Sequence, residues 1–296
     1  MREPVFTGVC PAIVTPFTPG GAVNYPKLAQ LIEDQIAAGV SAICICGTTG
    51  ESSTLSTREH VECVDFCVRQ VDHRVKVVAG SGSNDTAASL YLSRRAQESG
   101  ADALLLVTPY YNKTTQSGLV EHYTHIADRT ELPIILYNVP SRTGVSFTAG
   151  TYQILSQHPH INGVKEASGD LSLISHTRAL CGDDFYIWSG NDDQVVPMMA
   201  LGAKGVVSVA ANVIPETMVR LTDLCLSGHF DEAAALQLYC LELMDALFQE
   251  VNPIPVKTAM NLMGQDVGPL RLPLCGMTPE HLEPLRASLL HLGLLT

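Results

Sequence analysis

One of the six lysines in the 296-residue sequence stands at an unusual place. In INGVKEASGD (161 to 170), Lys165 ends an apolar run and opens a small, polar turn. Desolvation disfavours a charged ammonium, so an amine held there is available in its neutral form as a nucleophile toward a carbonyl. Schiff-base formation is the chemistry that fits. Position alone leaves a second reading open, a rim lysine paired with an acid such as Glu166. If the strand continues through Glu166, however, side-chain alternation sends that carboxylate to the opposite face.

Other residues on the same kind of boundary offer complementary chemistry. Tyr137 ends the apolar run PIILYNV and could relay a proton to the lysine, or simply line a barrel as an amphipathic side chain. Thr48 and Thr49 in GTTGES carry hydroxyls beside glycines, where exposed backbone N–H groups can hold a carboxylate; as bland turn formers they would need no ligand. Arg142 in PSRTG has a planar fork suited to a carboxylate, with a solvated loop arginine as the alternative. Tyr110 and Tyr111 in TPYYNK place two large aromatics at a loop tip, and a subunit interface is the simplest cover for them.

What must position these groups is a repeating unit. Eight apolar runs, at 8–16, 41–47, 75–81, 101–109, 133–139, 161–165, 184–190 and 205–211, alternate with helical patterns such as 25–38, 57–70, 85–99 and 117–129. Most of the runs lack charge in their middles, as strands buried on both faces of a parallel sheet do. The alternation predicts an α/β fold, a (β/α)8 TIM barrel over 1–228, whose active face lies at the C-terminal ends of the strands. On that map Lys27 and Lys113 fall in a helix and a loop, Lys76 and Lys204 precede their strands' apolar parts, and Lys257 lies beyond the barrel. Only Lys165 ends a strand on the active face. After Gly228 the alternation stops, and 229–296 reads as a C-terminal α-helical domain with one long helical pattern over 229–249.

Composition narrows the function classes. A net charge of -12 argues against a nucleic-acid surface, which needs clustered positive charge. The N-terminus lacks the pattern of a signal peptide, and no uncharged apolar run approaches the ~18 residues of a membrane span, so no membrane association and a cytoplasmic location are expected. The nine cysteines sit inside apolar patterns without a CxxC pair, and HExxH is absent; they read as small buried hydrophobes, with no metal or cofactor implied.

Taken in order, GTTGES (47–52), TPYYNK (108–113), YNVPSRTG (137–144), VKEASG (164–169), SGND (189–192) and NPIPVK (252–257) resemble the 4-hydroxy-tetrahydrodipicolinate (dihydrodipicolinate) synthase family. The resemblance runs from Thr7 to the end of the chain. It implies a lyase of the class I aldolase type that condenses pyruvate with L-aspartate 4-semialdehyde in lysine and diaminopimelate biosynthesis, without a cofactor. Residue by residue, it implies that Lys165 forms the imine and that Thr49 with Thr48 lies beside the pyruvate carboxylate. Tyr137, Thr48 and Tyr111 would relay protons, with Tyr111 reaching in from a neighbouring subunit of a homotetramer, a dimer of dimers. Arg142 would bind the semialdehyde carboxylate, and Gly190 and Val207 would line the pocket. The wider superfamily includes N-acetylneuraminate lyase and sugar-acid aldolases with the same lysine and tyrosine, so a Schiff-base aldolase for another aldehyde is the alternative. RTG at 142–144 and the tyrosine pair favour the synthase, and an intact lysine, tyrosine and threonine argue against a non-catalytic barrel.

The sequence departs from the family at one place. Lysine-inhibited members hold lysine at the dimer interface, and Ser52, His60, Asn84 and Tyr110 match that pocket, but Thr57 replaces a histidine and Ala88 the glutamate that holds the effector's amine. Losing a charged partner costs ~1 to 3 kcal/mol, so weak or absent inhibition by lysine is expected.

Overall fold

A computed structural model describes residues 2–295. The eight expected runs all contain strands: β1 Gly8–Pro11, β2 Ala42–Ile45, β3 Lys76–Gly80, β4 Ala103–Val107, β5 Ile134–Asn138, β6 Ile161–Glu166, β7 Tyr186–Ser189 and β8 Gly205–Ser208. Among the described residues the strands pair in parallel, in the order β1-β8-β7-β6-β5-β4-β3-β2. The open side between β1 and β2 is closed by a parallel bridge from Ala12 to Cys44, by the Ile13 N–H donating to the Cys44 carbonyl (3.1 Å), and by the Ser41 N–H donating to the Val9 carbonyl (2.9 Å). The result is a (β/α)8 barrel.

Alternation along each strand divides the apolar side chains into two layers. Leu136, Val164 and Ile187 pack with the helices on the outside. Ile135, Tyr137, Trp188 and Val207 share a smaller cluster with Cys10 and Cys44 inside the barrel. Helix starts follow the capping residues of the sequence: Ser56 and Glu59 form a reciprocal capping box on Thr57–Val71, and the Asp170 carboxylate accepts the Ser172 and Leu173 N–H groups to start Leu171–Cys181. A cap of this kind contributes about 1 kcal/mol.

The long helical pattern after Gly228 divides into Phe230–Tyr239 and Leu241–Ala246, because Cys240 adopts φ -93° and ψ -1°. Neither glycine nor proline marks that break, so the periodicity runs through it unbroken. Two more helices follow, Ile254–Leu262 and Pro279–His291. Seven of the nine cysteines are buried; Cys181 is half-buried and Cys275 is exposed, departing from the expectation that all are core residues. Among the described residues no helix is long and apolar enough to cross a membrane.

Candidate active site

The register of β5 and β6 creates the centre of the site. Tyr137 and Lys165 are direct partners across the two strands, and Lys165 pairs on its other side with Trp188 of β7. Residues so paired point to the same face, here the barrel interior. Lys165 is buried, and its Nζ stands 4.2 Å from the centroid of the Tyr137 ring. Among the described residues, the lysines found in ion pairs are Lys76 and Lys257, so no carboxylate makes a direct ion pair with Lys165.

Glu166 turns outward, as the alternation requires. It is buried in the helix layer, where its carboxylate accepts hydrogen bonds from the Tyr152 hydroxyl (2.7 Å), the Asn138 amide (2.9 Å) and the Ser168 N–H (2.9 Å). Burial raises its pKa against the effect of those donors. Asp192 is similarly enclosed, with burial pushing its carboxyl up. It accepts from the Ser208 hydroxyl and from the Val209 and Ala210 N–H groups, which fixes the turn after β8.

Lys165 opens onto a cavity of about 660 Å³ that Tyr137, Thr49, Arg142, Gly190 and Asn252 also line. Gly190 is needed for space. A Cβ there would lie 2.6 Å from the Ala167 Cβ and 3.1 Å from the Lys165 Cε. Thr49 is buried in the turn after β2, and its Oγ1 accepts a hydrogen bond from the Asn252 amide at 2.9 Å. Arg142 sits in the one-turn helix Pro140–Thr143 after β5 and spends one N–H on the Asn252 backbone carbonyl (3.1 Å). The residue is exposed, and its other N–H groups remain as donors for a ligand.

Four expected residues are therefore gathered around Lys165: Tyr137, Thr49, Arg142 and Gly190. The other three lie apart. Thr48 is half-buried and borders an adjoining cavity of about 380 Å³ with Ser52, His60, Gly82 and Tyr110; Val139 and Arg142 border both cavities. Tyr111 is 91% exposed, holds φ +69°, and borders neither cavity within its own chain. Val207 is buried in the barrel interior, and Val209, two residues further on, reaches the cavity wall instead.

Sequence reasoning missed the wall supplied by the segment Phe248 to Asn252. The one signal in the sequence is the motif NPIPVK, which opens on Asn252. The motif ends on Lys257, whose buried ammonium donates to Glu51 (2.8 Å) and to the carbonyls of Thr15 (3.1 Å) and Pro269 (2.6 Å). Glu51 also accepts the Arg271 N–H at 3.0 Å, so two residues beyond the barrel hold the turn that carries Thr49.

A free buried amine, a phenol, a threonine hydroxyl and a guanidinium around one cavity can capture a carbonyl compound that bears a carboxylate. The comparisons with known proteins agree with that chemistry. The model of the dihydrodipicolinate synthetase family matches residues 5–292. A 4-hydroxy-tetrahydrodipicolinate synthase of Thermoanaerobacter sp. (strain X514) is 53% identical over 293 residues, covering 99% of this chain and 98% of that relative. The crystal structure of dihydrodipicolinate synthase from Aquifex aeolicus superposes with a TM-score of 0.95 at 43% identity, over 98% of this chain and 99% of that one. The chloride-inhibited dihydrodipicolinate synthase of Acinetobacter baumannii, solved in complex with pyruvate, does so with a TM-score of 0.95 at 40% identity over the same shares. With a family model matched along nearly its whole length, the chain belongs to the dihydrodipicolinate synthetase family.

Proposed function

We propose that the chain is a 4-hydroxy-tetrahydrodipicolinate synthase, a lyase that condenses pyruvate, held as an imine on Lys165, with L-aspartate 4-semialdehyde. The observation that carries this reading is the buried Lys165 amine, without an ion partner, beside Tyr137 on a cavity that also presents Thr49 and Arg142. The name shared by relatives at about half identity and the pyruvate complex of a structural neighbour support it.

In this reading the amine attacks the keto carbon of pyruvate, and the carbinolamine loses water to give the imine. Removal of a methyl proton then yields an enamine, which adds to the aldehyde. That addition regenerates the imine and turns the aldehyde into a hydroxyl; the semialdehyde's own α-amine then attacks the imine carbon, closes the ring and expels the Lys165 amine. Tyr137, whose ring centroid lies 4.2 Å from the Lys165 Nζ, serves as the acid-base group for these proton transfers. Thr49 binds the pyruvate carboxylate and Arg142 that of the semialdehyde, while Gly190 clears the space beside the reacting carbon. Thr48 and a partner's tyrosine equivalent to Tyr111 complete the relay. The near-total exposure of Tyr111 supports that role in a homotetramer built as a dimer of dimers. A cytoplasmic setting belongs to the same reading.

The adjoining cavity bordered by Ser52, His60 and Tyr110 has no carboxylate among its described lining residues. This supports weak or absent inhibition by lysine. A titration of activity with lysine checks it, and half-inhibition at submillimolar lysine would contradict it. The assignment itself is tested by screening aldehydes with pyruvate: turnover with L-aspartate 4-semialdehyde is expected, and turnover only with sugar-derived aldehydes would overturn it.

A further inference from the structure

We propose that Asn252 is a positioning residue that aims the Thr49 hydroxyl at the carboxylate of the bound keto acid, an inference that rests on the function proposed above. A threonine hydroxyl has one proton to donate and two lone pairs that accept. The Asn252 Nδ2 can only donate, and at 2.9 Å it occupies one lone pair of the Thr49 Oγ1. The hydroxyl proton is thereby left for another acceptor. None of the hydrogen bonds among the described residues takes it, and Thr49 borders the cavity. An anionic oxygen placed there is the acceptor that completes the arrangement.

Two further observations favour this role over simple packing. Asn252 is buried, and its Oδ1 has no hydrogen-bond partner, so the side chain is held by its single bond to Thr49 and not by a network of its own. Its backbone carbonyl separately accepts the Arg142 Nη2–H. A side-chain substitution leaves that second bond in place, so the two substrates' binding groups can be separated by experiment.

The test is a double-mutant cycle read through pyruvate. The apparent affinity is measured as the fraction of protein trapped by borohydride against pyruvate concentration, beside steady-state KM values for both substrates. Loss of one neutral hydrogen bond should raise the pyruvate KM of Asn252→Ala roughly two- to tenfold, with kcat at saturating pyruvate and the semialdehyde KM nearly unchanged. Asn252→Asp should raise it more, because a carboxylate there accepts the Thr49 proton and repels the ligand's charge. In Thr49→Val the Asn252→Ala change should add nothing, and in Thr49→Ser its effect should return. Additive effects in Thr49→Val, or equal shifts in both KM values, would overturn the inference while leaving the enzyme assignment intact. A wild type that traps no pyruvate at any concentration would instead overturn the assignment and the inference with it.

Discussion

Lys165 and Lys257 are the two lysines of this chain that the fold buries, 5% and 1% exposed, and their surroundings are opposite. All three N–H donors of Lys257 are engaged, one by the Glu51 carboxylate and two by backbone carbonyls, and the ammonium also lies 4.4 Å from the centroid of the Phe17 ring. Burial lowers its pKa, with Glu51 opposing the shift. Lys165 has an aromatic face and an open cavity in place of those partners. The difference teaches that burial alone does not make a lysine nucleophilic. The free electron pair needs a site in which nothing else claims the amine, and space in which a carbonyl can approach it.

The comparison can be broken by exchanging what each lysine has. The largest effect is expected from Lys165→Met, which removes the nucleophile: turnover should fall to background in a coupled assay, with the melting temperature close to that of wild type. Residual turnover of a few per cent would mean that another group carries the chemistry. Lys257→Met should do the reverse. It strands the Glu51 charge in a buried site and should cost about 3 to 5 kcal/mol of stability in denaturant unfolding. Adding Glu51→Leu should recover part of that loss, because the stranded charge is then gone, although the bond to the Arg271 N–H is lost as well. An unfolding midpoint unchanged in Lys257→Met would show that the ion pair is dispensable.

Gly190→Ala sharpens the contrast from the side of space. The added methyl meets Ala167 and the Lys165 Cε, and a displacement of about an ångström at a reacting group costs on the order of a hundredfold in rate. A fall of that size in kcat/KM, with the fold retained by circular dichroism, is expected. Activity within twofold of wild type would mean that the lysine has more room than the geometry allows.

The smallest effect concerns His122, a third buried base. Burial holds its imidazole down to about 4, with His125 adding to the shift. Between the ordinary imidazole value of about 6.5 and that lowered one, the unfolded chain takes up the proton first. Its contribution to stability is therefore complete above about pH 6.5 and is lost as pH falls toward 4. His60, lowered chiefly by burial, has the same sign. His122→Gln should flatten the dependence of the unfolding free energy on pH across that window. An unchanged slope would contradict the assignment.

The two lysines also mark what could be read from the sequence. Lys165 was legible because its position follows from local rules: an apolar run, a polar turn, and side-chain alternation that turns Glu166 into the helix layer, where Tyr152 and Asn138 hold it. Tyr137 was legible for the same reason, since the register of β5 and β6 follows from two adjacent buried strands. Lys257 and Asn252 were not. Their partners Glu51 and Thr49 lie 206 and 203 residues away, and helical periodicity says which face of a segment is apolar but not what it docks against. Tyr111 stands out in the sequence as a costly aromatic at a loop tip, and a single chain leaves it exposed.

Reductive trapping tests the central claim most directly. Wild type, Lys165→Met and Lys257→Met are each incubated with pyruvate, reduced with borohydride and weighed by intact mass spectrometry, with peptide mapping to locate the adduct. A single pyruvate adduct on wild type and on folded Lys257→Met, mapped to Lys165 and absent from Lys165→Met, is the expected result. An adduct that persists in Lys165→Met, or one that maps to Lys257, would contradict the account.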